Sequence, residues 1–220
     1  MVFTSRAGGV SAAPYDSFNL GTHVGDDAAD VAANRARLAQ ILGLPEERFV
    51  WMEQLHTNTV TLIDGPSATP VEATDAIVTR EKNLALCVLV ADCTPVLLSD
   101  HTAGVRNGIV KNTVEAMVGL GAEPSRIQVL LGPAAAGESY EVPEGMALDV
   151  EKHLPGSRTR TKKGTPGIDV RAGLVRQLMS LGVTHIDADP RDTITDKDFF
   201  SHRREGVTGR QAGVIWMPNV

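Results

Sequence analysis

The sequence predicts a single-domain α/β (α+β) fold, a mixed-sheet sandwich with flanking helices. Three observations support this prediction. The 220-residue chain is long enough for one well-buried core, and no linker-like stretch divides it, so residues 1–220 are expected to form one domain. Segments with strand-like and helix-like apolar spacing alternate along the chain, without tandem repeats.

Composition excludes several classes of function. The chain is 42% hydrophobic and 22% charged, as ordinary soluble proteins are, and its net charge of -6 argues against a general nucleic-acid binder. It has neither a long apolar run nor a signal-peptide pattern, so we expect no membrane segment and a cytoplasmic location. In that reducing compartment Cys87 and Cys93 are expected to remain thiols. A monomer or a small homo-oligomer is expected.

Helices are predicted where apolar residues recur every three or four positions. In the segment DAADVAANRARLAQILGL, Asp26 and Asp27 supply the N-cap and first-turn acids, and Gly43 stops the helix. A further helix is predicted in RNGIVKNTVEAMVGLG, and GIDVRAGLVRQLMSLGV predicts a strand followed by a helix. The region 134–165 has little regular signal apart from a short helix at Leu148–His153.

Strands are predicted in the remaining apolar segments. RFVWMEQLHTNTVTLID predicts a pair of strands interrupted by the polar residues 54–58. LALCVLVADCTPVLLSD is nearly continuous in apolar residues and predicts a strand buried on both faces around Cys93, broken by Pro95. Shorter strands are predicted in DAIVTR, RIQVLLGP, HIDAD and VIWM.

Cys93 and His56 are the candidate catalytic residues. Cys93 lies where a buried strand meets a proline, although a buried core cysteine, as expected for Cys87, is the alternative. His56 interrupts a strand pattern with polar residues, although a hydrogen-bonded turn histidine is equally compatible. Together the pair could activate a thiolate or share zinc or copper, because imidazole and thiolate suit both metals.

Four arginines are candidates for substrate binding. The segment FFSHRREGVTGRQAG places Arg203, Arg204 and Arg210 beside small residues, where forked hydrogen bonds could hold a phosphate or a carboxylate. Arg6, in TSRAGG, has glycines that would let a ligand approach the backbone. A solvated basic loop is the alternative for both segments.

Long motifs in order along the chain carry a specific family resemblance. The blocks are TSRAGGVS, SFNLGTHVGDD, NRARL, VWMEQLHTNTV, DAIVT, ADCTPVLLSD, NGIVKNTVEAM, GP followed by YEV, and FFSHRREGVTGRQAGVIWM. They resemble the multicopper polyphenol oxidase (laccase-like) family, reinterpreted as purine nucleoside phosphorylases and peptidoglycan editing factors. The resemblance implies a core similar to that of a deamidating toxin, a metal centre of two histidines and one cysteine, and adenosine-like substrates. His56 and Cys93 match the first two ligand positions.

The chain departs from this family at the third ligand. Family members carry an AHAGWRG motif with the remaining histidine, but here HTAGV runs directly into RNGIVKN, between Val105 and Arg106. A degenerate paralogue, an engineered deletion and a segment omitted from the sequence are the three explanations. His101 would replace the ligand only if the shortened turn folds back toward Cys93. Asp192 stands where the family has a cysteine.

The resemblance implies a mechanism, and two alternative functions remain compatible with the sequence. His56, Cys93 and the missing histidine would hold zinc, or copper as the alternative, with one open coordination position. A metal-bound hydroxide would deaminate adenosine, and arginines would hold phosphate for phosphorolysis of adenosine, inosine, guanosine and methylthioadenosine. The rivals are a metal-free cysteine–histidine hydrolase or amidase, and an inactive member acting in peptidoglycan quality control.

Overall fold

The computed structural model describes residues 1–100, 104–107 and 109–219, and the prediction for His101 lies outside them. Within this part of the chain, helices and strands alternate, and the predicted mixed α/β class is confirmed. The helices are α1 (Ala28–Leu42), α2 (Val110–Gly119), α3 (Glu144–His153), α4 (Val170–Ser180) and α5 (His202–Glu205). The strands are β1 (Val2–Phe3), β2 (Phe49–Val50), β3 (Val60–Leu62), β4 (Ala76–Thr79), β5 (Ala85–Val90), β6 (Val96–Asp100), β7 (Gly104–Asn107), β8 (Gln128–Leu131), β9 (Arg158–Arg160), β10 (Pro166–Ile168), β11 (His185–Ala188) and β12 (Gln211–Ile215).

Two mixed sheets form the centre of the fold. A four-stranded sheet has the order β1-β12-β5-β2, with β2 parallel to β5 and the other pairs antiparallel. A six-stranded sheet has the order β11-β8-β6-β7-β4-β3, with parallel pairs at its two edges. A β9–β10 hairpin stands apart from both.

The alternation of side chains along the strands builds four layers. On β5, Cys87 and Leu89 point toward α1, while Leu86 and Val88 point toward the second sheet. On β6, Leu97 closes this inter-sheet core, and its neighbours pack against α2 and α4. The molecule is therefore an α/β/β/α sandwich, because each sheet buries one face on the other sheet and one on helices.

Helix α1 follows the capping rules that its sequence predicts. The Asp27 side chain accepts a hydrogen bond from the Ala29 N–H group, while Asp26 instead bonds Asn19. Gly43 ends the helix in a left-handed conformation with a φ of 66°. Among the described residues, no helix has the length and apolarity needed to cross a membrane.

The predicted continuous strand around Cys93 is wrong. The chain leaves β5 at Val90 and enters β6 at Val96, and these two strands belong to different sheets. Cys93 therefore lies in a turn between the sheets. Apolar content alone does not separate one long buried strand from two short ones joined by a turn, because both are buried on two faces.

Three other predicted boundaries of helices and strands also differ from those in the structure. The last strand is Gln211–Ile215, which begins before the predicted VIWM, and α3 begins four residues before Leu148. The predicted helix from Arg106 begins instead at Val110. Strand β7 fills the position beside β6, and its register on β4 and β6 runs through Val105 and Arg106 without interruption.

Candidate active site

Two connections cross from the four-stranded to the six-stranded sheet and meet. The connection from β2 to β3 carries His56, and the connection from β5 to β6 carries Cys93. The Cys93 Sγ atom lies 3.8 Å from His56 Nε2. The structure therefore brings together the two residues that the sequence singles out, although 37 positions separate them.

A carboxylate fixes the backbone at His56. This residue has a φ of 57°, a left-handed conformation that residues with side chains rarely adopt. Asp75, just before β4, accepts hydrogen bonds from the N–H groups of His56 at 2.8 Å and Thr57 at 2.7 Å. Burial raises the pKa of Asp75, but the hydrogen bonds from Thr57 and His56 outweigh burial and hold the pKa below its ordinary value. The ionised Asp75 thus offsets the strain of the turn.

A second carboxylate fixes the turn at Cys93. Asp92 has a φ of 82°, and its side chain accepts hydrogen bonds from Thr193 Oγ1 at 2.6 Å and from the Arg203 N–H group at 2.7 Å. Its carbonyl oxygen accepts from the Ala135 N–H group at 3.0 Å. The turn is therefore held by a loop and by the C-terminal segment.

Cys93 is an exposed residue whose side chain lines a cavity. Burial raises the pKa of Cys93, the neighbouring Asp92 carboxylate raises it further, and Arg210 opposes both effects. Cys87 is fully buried beneath α1, as predicted for a core cysteine, and burial also raises its pKa. Only Cys93 is placed where a small molecule can reach it.

The cavity at the Cys93–His56 pair has a volume of about 1320 Å³. This exceeds the roughly 300–1,000 Å³ that is typical of small-molecule sites, so it has room for a ligand together with a small anion. Its lining mixes apolar side chains from α2 and α4 with polar groups. The polar side chains of the lining include those of Thr22, His23, His56, Cys93, His202 and Arg210.

Two of the four predicted substrate-binding arginines have their guanidinium groups bonded within the protein. Arg6 pairs with Asp16 at 3.3 Å and Glu205 at 2.7 Å. Arg204 donates to several carbonyl groups, including that of Phe199 at 2.7 Å. Hydrogen bonds from Thr208, Arg6 and Arg204 outweigh burial, which raises the pKa of Glu205, and lower this pKa to about 2. Neither arginine lines the cavity.

The other two arginines differ in position. The Arg203 guanidinium lies 4.7 Å from the centre of the Tyr140 ring, outside the cavity lining. Arg210 lines the cavity, and its Nη1 donates to the carbonyls of Thr208 at 2.9 Å and Gly209 at 3.0 Å. Arg210 is therefore the predicted arginine best placed to meet a ligand.

Sequence reasoning did not single out Asp75 or His23. Asp75 directly precedes the buried strand β4, and a lone acid at a strand end is a weak signal of function. His23 lies in the polar LGTH segment, whose turn-like composition hides its place in the cavity. Asp192, noted in place of a cysteine, accepts hydrogen bonds from the N–H groups of Ala136 and Ile194 and lies outside the cavity lining.

The fold and the site define a mixed α/β sandwich protein with a cysteine–histidine pair in a cavity between its sheets. Residues 1–218 match the family described as multi-copper polyphenol oxidoreductase laccase. The chain belongs to this family, and the resemblance predicted from its motifs is confirmed.

Similar proteins cover almost the whole chain. A Corynebacterium glutamicum protein named purine nucleoside phosphorylase is 62% identical over 230 residues, covering 99% of this chain and 94% of the relative. A Mycobacterium bovis protein of the same name is 53% identical, covering 98% and 91%. The crystal structure of YlmD from Geobacillus stearothermophilus has 31% identity and a TM-score of 0.87, covering 99% and 91%. That of the hypothetical protein YfiH from Bacillus licheniformis has 27% identity and a TM-score of 0.90, covering 98% and 91%.

The relatives contain residues that this chain lacks. The alignment with the C. glutamicum protein spans 230 positions, whereas the chain has 220 residues, so at least ten positions have no counterpart here. This difference agrees with the absence of the AHAGWRG motif, which is expected between Val105 and Arg106.

Among the described residues, the donors at this site do not fit a three-ligand metal centre. The family description names copper, so membership suggests a metal cofactor. His56 and Cys93 supply two donors, but the described residues contain no group of three His, Cys, Asp or Glu side chains that could hold an ion. Zinc sites in proteins use three or four protein ligands. The described residues therefore hold a thiol–imidazole pair.

We predict that Asp75→Ala destabilises the His56 turn. The substitution removes a charged acceptor of two backbone hydrogen bonds at a strained residue, so the free energy of unfolding should fall by about 1–3 kcal/mol. Urea unfolding measures this change, with Asp64→Ala as the control because Asp64 is an exposed acid of a nearby loop. Equal stability of the two variants would mean that Asp75 does not hold the turn.

Proposed function

We propose that the protein is a purine nucleoside phosphorylase acting in the cavity at Cys93 and His56. The observation that carries this proposal is the 3.8 Å Cys93–His56 pair in a cavity that also contains Arg210. A phosphorolytic enzyme needs room for a nucleoside, a cation for phosphate and a proton donor, and this cavity combines those features. The names of the C. glutamicum and M. bovis relatives support the same activity.

The proposed substrates are adenosine, inosine, guanosine and methylthioadenosine, each with inorganic phosphate. These nucleosides share a purine joined to a ribose carbon, which is the bond that phosphorolysis breaks. Apolar side chains such as Val96 and Leu174 line part of the cavity and offer surface for the purine ring. The polar side chains of the lining are available to bind the ribose hydroxyls and the phosphate.

The proposed reaction is a displacement at the ribose C1′ atom. A phosphate oxygen, held by Arg210, forms a bond to C1′ as the bond to the purine nitrogen breaks. The electron pair of the broken bond goes to the purine, which leaves after taking a proton. The Cys93–His56 pair is the proposed source of that proton, since a positioned acid that protonates a leaving group contributes typically 10²–10⁴-fold.

Deamination of adenosine needs different chemistry. Water must attack the purine C6 atom, and the mechanism implied by the family uses a metal-bound hydroxide for this step. Because His56 and Cys93 supply only two donors among the described residues, no route to that hydroxide follows from their geometry. The proposal is therefore confined to phosphorolysis, and the product of adenosine turnover distinguishes the two reactions.

We predict that Cys93→Ala and His56→Ala each lower phosphorolysis by at least about 100-fold, because each removes one member of the proton-donating pair. Liquid chromatography of adenine released from adenosine, with and without phosphate, measures the rate. His153→Ala is the matched control, since His153 is exposed on α3, outside the cavity.

Other products would contradict the proposal in recognisable ways. Release of adenine without phosphate would indicate hydrolysis, and hypoxanthine from adenosine would indicate deamination. Wild-type rates in both variants would show that the Cys93–His56 pair is not the site. A folded protein that neither turns over nucleosides nor changes its melting temperature with them would favour a non-catalytic role in peptidoglycan quality control.

Metal content tests whether the protein holds the zinc centre, or its copper alternative, that the family resemblance implies. Two donors bind an ion more weakly than three, so we predict less than one equivalent of either metal after dialysis of protein purified without a histidine tag. Elemental analysis measures this ratio. One equivalent of metal, lost in both Cys93→Ala and His56→Ala, would support the metal centre and contradict this prediction.

The remaining rival is a cysteine hydrolase or amidase that uses Cys93 as its nucleophile. Such an enzyme forms a covalent intermediate on sulfur, so Cys93→Ser should abolish its turnover. In the proposed phosphorylase the residue holds a proton, and a serine hydroxyl retains part of that role. Residual phosphorolysis by Cys93→Ser above that of Cys93→Ala therefore favours the phosphorylase, and equal loss in both favours the nucleophile.

A further inference from the structure

Arg210 presents unused hydrogen-bond donors to the cavity. Its Nη1 atom bonds two backbone carbonyls, while its Nε and Nη2 atoms have no protein acceptor among the described residues. Within the same residues, Arg210 forms no ion pair with a carboxylate. A half-buried arginine with free donors favours an anionic ligand, because burial without a counter-charge is unfavourable.

A buried asparagine places Arg210 beside the LGTH segment. Asn19 is fully buried, and its Oδ1 accepts hydrogen bonds from the N–H groups of Arg210 at 2.8 Å and Gly21 at 3.0 Å. Its Nδ2 donates to the Asp26 carboxylate at 2.8 Å. The segment that carries His23 is therefore joined by Asn19 to Arg210, which directly precedes β12.

The absence of a side chain at Gly21 leaves space for the aliphatic part of the Arg210 side chain. A Cβ atom at position 21 would lie 2.9 Å from Arg210 Cγ and 3.1 Å from its Cβ, closer than side chains tolerate. The absence of a side chain at Gly21 lets the guanidinium reach the cavity. Replacing Gly21 thus changes the position of the Arg210 charge without removing it.

Two arginine side chains lie near His23. Burial lowers the pKa of His23, and the charges of Arg210 and Arg35 lower it further, so the neutral imidazole is favoured at this position. Arg35 bonds the Leu20 carbonyl and stacks on Trp51, and within the described residues it has no carboxylate partner. Burial lowers the pKa of Arg210, while Cys93 and Asp92 raise it, and the oxygens of Asp92 already bond Thr193 and Arg203.

We infer that Arg210 and His23, with the Thr22 hydroxyl, form the subsite that binds inorganic phosphate. All three residues line the cavity that contains Cys93 and His56. Arg210 supplies two free donors, His23 supplies a ring N–H group, and Thr22 supplies a hydroxyl. This inference rests on the proposed phosphorolysis for its role in turnover, but phosphate binding can be measured without any reaction.

Titration calorimetry of the full chain with inorganic phosphate, in the absence of nucleoside, tests the subsite. Arg210→Gln should weaken phosphate binding at least about tenfold, because a charge-assisted hydrogen bond is lost, and His23→Asn should weaken it severalfold. Arg210→Lys should recover part of the loss. Arg37→Gln is the matched control, since Arg37 is an exposed arginine of α1 outside the cavity, and it should bind phosphate like the unaltered chain.

Gly21→Ala provides a test that keeps the side chains of both Arg210 and His23. It should weaken phosphate binding severalfold while leaving the circular dichroism spectrum and melting temperature close to those of the unaltered chain. Unchanged affinity in Arg210→Gln, His23→Asn and Gly21→Ala would overturn the subsite. So would an equal loss of affinity in Arg37→Gln, which would indicate general attraction to positive charge.

Kinetics distinguish failure of the subsite from failure of the proposed function. Phosphorolysis with the same KM for phosphate in Arg210→Gln and in the unaltered chain would overturn the subsite and leave the phosphorylase proposal standing. Phosphate binding that these variants weaken, without any phosphorolysis by the unaltered chain, would support the subsite and overturn the phosphorylase proposal.

Discussion

The packing of two sheets face to face is the constraint on which the site depends. The inter-sheet core of Leu86, Val88, Ile77 and Leu97 forces the chain to cross between sheets after β2 and after β5. Residues in these connections leave the hydrogen-bonded strands of both sheets. Polar side chains can therefore lie there, where the two sheets meet. A thiol and an imidazole meet there because both connections make the same crossing.

Both crossings are held in conformations that the isolated chain would disfavour. His56 and Asp92 have positive φ values, and each turn is fixed by a carboxylate that accepts backbone or hydroxyl hydrogen bonds. For His56 the acceptor is Asp75, just before β4, and for Cys93 it is Asp92 itself, bonded to Thr193. Local strain at the site is thus offset by hydrogen bonds from more distant parts of the chain, which keep the two side chains in place.

The long-range contacts of the N-terminal segment complete the cavity. Asn19 joins this segment to the last strand, so Arg210 and His23 become neighbours although almost the whole chain separates them. Arg203 and Arg204, which precede Arg210 in the same segment, do not line the cavity. Arg204 turns inward to bond backbone carbonyls, and Arg203 lies over Tyr140. Of the three arginines in the segment FFSHRREGVTGRQAG, Arg210 alone lines the cavity.

The sequence by itself determined the secondary-structure class, helix α1 with its Asp27 and Gly43 ends, the buried Cys87 and the candidacy of Cys93 and His56. These features follow from local periodicity, capping chemistry and motif identity, which need no knowledge of distant neighbours. Only the tertiary structure divided the apolar run at Cys93 between two sheets and separated the cavity-lining arginine from those bonded internally. Those outcomes depend on contacts between residues far apart in sequence, which no local pattern encodes.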